Sequence, residues 1–176
     1  AATMKFCTRF LYEHHAVWGT FKYVWAWWFP RQMTLQEIRF GALEYEFVDG
    51  REREVAIHIP SDADMSMDSI QASLAAFYSF RKTYHADWED VRLTCDTWML
   101  MPELQEFLGK DSRIAGFQKL FQIDQIDREA TWYMGWIYPG YDIVDESLPE
   151  KTLLQKMLKK YLLDGKKFGI AKGYIK

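Results

Sequence analysis

The chain has 176 residues, a length that one hydrophobic core can serve. Its 22 Lys and Arg against 25 Asp and Glu leave a net charge of −3, and 49% of it is hydrophobic, which excludes both a basic field for nucleic acid and a disordered, highly charged chain. The longest apolar run, Tyr23 to Phe29, is about a third of a membrane span, no signal peptide precedes it, and Cys7 and Cys95 match neither a metal nor a secreted disulfide spacing. These features predict a cytoplasmic protein with reduced thiols and with neither a nucleic-acid nor a membrane partner.

Residues 1–30 read as an aromatic, helical segment ahead of the main domain. Ala1-Ala2-Thr3 before Met4 reads either as an appended remnant or as a piece of something longer. Phe6, Phe10, Val17, Phe21 and Trp25 recur at helical spacing. Trp18, Trp25, Trp27 and Trp28 exceed what one buried helix face needs, so part of this surface meets another domain or the segment wraps its own core. His14 and His15 would diverge by ~100° on a helix and have no carboxylate spacing beside them, so they read as a surface pair and no metal is expected.

Residues 31–176 form the main domain. Gly41 to Val48 predicts a strand with Leu43, Tyr45 and Phe47 on one face and Glu44 and Glu46 on the other. Asp49-Gly50 predicts a two-residue type I′ turn, which sets Glu46 opposite Arg53 on a returning strand from Arg51 to Ile59. Ser61 to Met65 is a polar loop, and Ser66 caps a helix to about Tyr84 with Ile70, Leu74, Phe77 and Tyr84 on one stripe. Val91 to Trp98 predicts the next strand. Short helices follow from Pro102 to Leu108, stopped by Gly109, and from Ser112 to Phe121. Strands are expected near Gln122–Asp127 and Thr131–Tyr138. Ser147-Leu148-Pro149-Glu150 reads as a capping box for a helix over Lys151–Asp164. On it Leu153, Leu154, Met157, Leu158, Tyr161 and Leu162 face inward and Lys156, Lys159 and Lys160 outward; with Lys166, Lys167, Lys172 and Lys176 they make a basic, solvated end. A strand–helix–strand unit between antiparallel pairs implies an α/β (α+β) fold with a mixed, largely antiparallel sheet flanked by helices.

Four stretches sharpen this order: Arg39-Phe40-Gly41-Ala42-Leu43-Glu44-Tyr45-Glu46, Ile57-His58-Ile59-Pro60, Cys95-Asp96-Thr97-Trp98-Met99-Leu100 and Ser112-Arg113-Ile114-Ala115-Gly116-Phe117-Gln118. From about Trp27 onward the chain resembles the GNAT-like C-terminal domain of bacterial acyltransferase-domain proteins, in the GNAT superfamily. One departure is Arg113, where that family tends to carry asparagine. The resemblance implies an N-acyltransferase using acyl-CoA as co-substrate and a small-molecule acceptor. It also implies a separate preceding domain, so that domain or a second copy of the chain is an expected partner. In such folds two parallel strands splay and pantetheine amides pair with the first, here through Ile57 and Ile59. The following helix start, with Ser61 and Ser66, would face the pyrophosphate. His58 or Asp96 would be the base, and Thr97, Trp98, Trp132 and Trp136 would shape the acceptor pocket.

Taken by themselves, these residues keep a second reading open. His58 between two isoleucines suits a hydrogen-bonded core histidine as well as a base. Cys95 in an apolar strand reads as packing, and the Asp96 carboxylate must find a partner, structural or substrate. Ser61 to Ser66 lacks the glycines and the Arg or Gln of GNAT phosphate loops. Asp62, Asp64 and Asp68 suit the helix dipole but repel a pyrophosphate by on the order of 1 kcal/mol each. The alternative is therefore a non-catalytic GNAT-like module that binds a ligand or joins domains.

Overall fold

Helix α1 (Phe6–Trp18) stops where its sequence allows a reversal: Gly19, at φ +69°, places its N–H on the His15 carbonyl at 2.9 Å. The helical spacing therefore does not continue through Phe21, which lies beyond the stop and is 62% exposed. We describe residues 2–176 from a computed structural model. The chain divides into two compact units, Ala1–Cys95 and Asp96–Lys176.

In the first unit α1 and a short helix α2 (Phe29–Met33), with Pro30 in its opening turn, precede three antiparallel strands. These are β1 (Glu37–Phe40), β2 (Leu43–Asp49) and β3 (Arg53–His58). Strand β1 was not expected. Gly41, read as the start of a strand, has φ +58° and turns the chain between Phe40 and Leu43. The second hairpin differs from its sequence signal. Asp49 pairs with Arg53, so three residues close the turn, and neither Asp49 nor Gly50 adopts the positive φ of a type I′ turn. The longer connection moves the register, and Glu46 faces Ala56 instead of Arg53. Arg53 pairs with Asp87 at 2.9 Å and lies over the Trp88 ring at 3.9 Å.

Helix α3 (Met67–Tyr84) begins as expected, with the Ser66 hydroxyl accepting the Ser69 N–H at 3.4 Å. Ile70, Ser73, Phe77 and Arg81 form its buried stripe, and Phe77 stacks on Tyr45 of β2 with centroids 4.1 Å apart. Tyr84, placed on that stripe by spacing, is 71% exposed. Arg81 occupies the last buried turn and donates to the Val91 carbonyl at 3.0 Å. Strand β4 (Leu93–Thr97) then runs parallel to β3, registered at Val55↔Leu93 and Ala56↔Thr94.

The second unit holds α4 (Leu104–Leu108), α5 (Arg113–Gln118) capped by Ser112, β5 (Phe121–Asp127), α6 (Met134–Ile137), α7 (Leu153–Leu163) and β6 (Ile170–Ile175). The strand expected at Thr131–Tyr138 is instead the turn of helix α6. Its buried residues, Tyr133, Met134, Ile137 and Tyr138, follow a helical period and leave Trp132 and Trp136 outside. Strand β6 was missed. It pairs antiparallel with β5, and a Cβ at Gly173 would sit 2.8 Å from the Gln122 carbonyl oxygen, so only glycine permits that approach. The cap of α7 lies beyond Ser147: the Thr152 hydroxyl accepts the Gln155 N–H at 3.1 Å while Gln155 accepts the Lys151 N–H at 2.9 Å. Leu153 in its first turn is consequently 58% exposed. Lys159, expected outside, is buried, donating to the Glu146 carbonyl at 2.7 Å and pairing with Glu150 at 3.0 Å. The expected α/β class and largely antiparallel pairing hold across the six strands.

Candidate active site

The side-chain period of two puts Tyr45 on the α3 side of β2 and Glu44 and Glu46 on the other. The register Glu37↔Glu46, Arg39↔Glu44 and Glu44↔His58 gathers Glu37, Arg39, Glu44, Glu46 and His58 onto that second face. A polar sheet face normally meets water. Here residues 3–32 cover it: Thr3 accepts the Arg39 N–H at 3.2 Å, Arg9 approaches Glu44 at 3.8 Å, and Arg31 pairs with Glu46 at 2.9 Å. Glu37, Glu44 and Glu46 are all buried.

His58 stands at the end of β3, two residues past the last registered pair with β4. Its Nε2 lies 3.0 Å from a Glu46 carboxylate oxygen. Trp28 meets the imidazole edge to face at 4.7 Å and carries the Arg31 guanidinium on its ring at 4.5 Å. Glu46 thus holds an imidazole with one oxygen and a guanidinium with the other. Behind it, burial raises the Glu37 carboxyl above the usual range, opposed by hydrogen bonds from Trp28 and Gln32 and by the nearness of His58. Burial, reinforced by the Glu37 charge, pushes Glu44 to about 8 despite Arg9 and Arg39.

The loop before α3 is less repulsive than its charge count. Arg9 and Arg39 clasp Asp62 at 2.9 and 2.8 Å; burial works to raise that carboxyl, but the two guanidiniums hold it below its usual value. Ser61 donates its hydroxyl to Glu13. Asp64 accepts the Ser66 N–H at 3.0 Å, the Ser66 hydroxyl at 2.9 Å and the Ser69 hydroxyl at 2.7 Å. Ser66 is therefore engaged in shaping the helix start, and a carboxylate stands where the resemblance puts a phosphate. Ile57 is buried and Ile59 half-buried beside His58.

Of the residues assigned to the second unit, Asp96 is exposed on β4, Thr97 is buried and caps the Met99 N–H at 3.2 Å, and Trp98 is half-buried. Trp132 and Trp136 are exposed. Cys95 is buried, in keeping with packing, and neither cysteine is in a disulfide. Glu37, Glu46 and His58 offer atoms within 4.8 Å of one another, the one such convergence among the described residues. Arg31 and His58 already engage both Glu46 oxygens, and Arg31 supplies a neutralising charge. Sequence reading missed Arg9, Trp28, Arg31, Gln32 and Glu37. The Glu44/Glu46 alternation was visible, but not that the N-terminal segment buries it.

Antiparallel strands leading into a parallel pair with a helix between define the GNAT type of acyltransferase fold. Residues 38–175 match the GNAT-like C-terminal domain, and the chain belongs to that family. Its fold is similar to an acyltransferase in complex with decanoyl-CoA and teicoplanin (TM-score 0.87, 19% identity, covering 99% of this chain and 57% of that one). It is similar also to an acyltransferase in complex with decanoyl-CoA (TM-score 0.86, 20% identity, 99% and 56% covered) and to one with CoA and 10C-teicoplanin (0.88, 19%, 99% and 57%). The chain thus spans a little over half the length of those structures. No curated protein matches the sequence. Among the described residues no helix is long and apolar enough to cross a membrane.

Proposed function

We propose that this chain is part of a larger cytoplasmic acyltransferase that moves an acyl group from acyl-CoA to an amine of a small-molecule acceptor, with His58 as the base. The observation that carries this reading is the His58 Nε2–Glu46 contact of 3.0 Å at the end of β3, beyond the last β3–β4 pair. A neutral imidazole donating through Nε2–H leaves the Nδ1 lone pair to take a proton. As the acceptor nitrogen attacks the thioester carbonyl, Nδ1 removes its proton. The C–N bond forms, the C–S bond breaks, and the CoA thiolate leaves and is protonated. Glu46 stabilises the transient imidazolium.

In this reading the backbone of Ile57 and Ile59 holds the pantetheine arm, and Ser61, Ser66 and the start of α3 face the phosphates. Asp96, Thr97, Trp98, Trp132 and Trp136 serve the acceptor side. Residues 31–176 act as the C-terminal domain. The exposed aromatics Trp18, Phe21 and Trp27 face the protein's other domain or a second copy of the chain. One observation favours a ligand-binding or interdomain module without acyl transfer: Asp64 occupies the donors at the start of α3. Calorimetric titration with acetyl-CoA and decanoyl-CoA separates the two. Binding, with transfer reduced at least ~100-fold in His58→Gln while CoA affinity persists, supports the enzyme. No binding at millimolar acyl-CoA overturns it in favour of the module.

A further inference from the structure

We propose that Glu46 is a positioning residue for His58, and that Glu37 and Glu44 share a single proton behind it as a carboxylic acid–carboxylate pair. Glu37 faces Glu46 across β1 and β2, which sets it diagonal to Glu44 on the same buried face. Glu37 Oε2 and Glu44 Oε1 are both buried with no donor among the described residues. Two carboxylates cannot bond to each other, and an unpaired buried charge costs several kcal/mol. One proton between them removes both difficulties.

The surrounding cations lie mainly on other carboxylates, although Arg9 Nε and Arg31 Nη1 are buried without an acceptor among the described residues. Arg31 from α2 lies on Glu46 at 2.9 Å. Arg39 from β1 lies on Asp62 at 2.8 Å. Arg9 from α1 sits closer to Asp62, at 2.9 Å, than to Glu44, at 3.8 Å. His58 from β3 is bonded to Glu46. Donors also decide which partner holds the proton. Glu37 accepts from Trp28 and from Gln32, the latter at 3.3 Å, and suits the anion. Glu44 has only the more distant Arg9 and an Arg39 that lies on Asp62, and suits the acid. The upward displacement of Glu44 agrees with that division.

The kinetic part of this inference rests on the acyl-transfer reading; the proton sharing does not. The test is carboxyl-carbon NMR titration of glutamate-labelled chain. A Glu44 resonance that titrates far above ~4.3, the ordinary glutamate value, is expected. Midpoints below pH 5 for both Glu37 and Glu44 overturn the pair. Addition of 1 mM Mg²⁺ or Zn²⁺ should leave these resonances in place, and metal-dependent shifts of Glu37 and Glu46 overturn it in favour of a cation site. Glu44→Gln, whose amide donates as the acid did, should melt within a few degrees of the parent at pH 7. Glu37→Gln, which keeps an amide oxygen for its donors but removes the charge that strengthens those bonds, should melt clearly lower; the opposite order contradicts the assigned proton.

For Glu46, nitrogen NMR of the imidazole should show the Nε2–H tautomer lost in Glu46→Gln. In the same variant kcat should fall ~10-fold or more with KM unchanged, and the acid limb of the pH–rate profile should move to lower pH. An unchanged tautomer overturns the positioning role. If the NMR results hold and no variant or parent transfers an acyl group, the function proposed above fails and the proton-sharing pair stands.

Discussion

Strand β2 buries both of its faces equally, and it does so by two different kinds of chemistry. Toward α3, Tyr45 and Phe47 meet Phe77 and Phe47 meets Trp88 through stacked, tilted and edge ring contacts, and Leu43 is buried on the same face. Toward the N-terminal segment, Glu44 and Glu46 are 3% and 6% exposed, against 0% for Tyr45. The apolar face gains free energy from burial itself, ~25 cal/mol per Å² of surface removed from water. The acidic face loses by burial and recovers through Arg9, Arg31, His58 and a retained proton. The first arrangement favours stability. The second holds charge, directed donors and an imidazole in a dry setting, which is what a reactive site requires. The two faces should therefore respond to different perturbations.

The largest effect should come from the apolar face. Phe77→Ala empties a fully buried position stacked against Tyr45, and should cost about 3–5 kcal/mol in urea denaturation, with no dependence on pH. A much smaller loss would mean that the acidic face carries the unit's stability instead.

The acidic face should reveal itself through pH. A carboxyl raised from 4.5 to about 8 on folding contributes stability that is complete below the unfolded value and is lost as pH rises toward the folded one. Unfolding free energy should thus decline between about pH 4.5 and 8, with a slope approaching ~1 kcal/mol per pH unit. Glu44→Gln should flatten this decline. A stability that rises through the window in the parent chain would place the proton elsewhere.

This contrast also marks how far the sequence was legible. Alternation in residues 43–47 showed which side chains share a face, because the strand period is a local property. Whether the second face meets water depends on residues 3–32 folding over it, and no local pattern in β1–β3 encodes that. The family words found the strand carrying His58, but its partner Glu46 was hidden by a register that the three-residue turn at Gly50 shifted. Strand β6 escaped because Ala171, Lys172 and Gly173 interrupt its apolar pattern and its pairing partner, β5, lies far back in the sequence. The α7 cap was misplaced because Ser147-Glu150 and Thr152-Gln155 satisfy the same local rule, and only the Gln155 side chain reaches back to the Lys151 N–H.

A middle-sized effect tests the charge compensation. Arg31→Met keeps the aliphatic stem against Trp28 but removes the guanidinium from Glu46. Arg31 is 33% exposed along its side chain, so solvent screens part of the loss, and about 1–3 kcal/mol is expected. Raising the salt concentration should narrow the gap between parent and variant only slightly if the pair is as protected as Glu46 suggests. A gap that vanishes in high salt would make this a surface ion pair and weaken the contrast between the faces.

The smallest effect is expected from the one polar group on the apolar face. The Tyr45 hydroxyl meets the Ser73 hydroxyl at 3.0 Å, and burial pushes the phenol above its ordinary range. Tyr45→Phe keeps the stack on Phe77. Ser73 still donates to the Phe40 carbonyl and accepts the Leu43 N–H at 3.3 Å, so no buried group is orphaned. The loss should stay within about 1 kcal/mol in urea denaturation. A loss above ~2 kcal/mol would show that hydrogen bonding anchors this face too, and that the two sides of β2 differ in charge alone and not in what holds them.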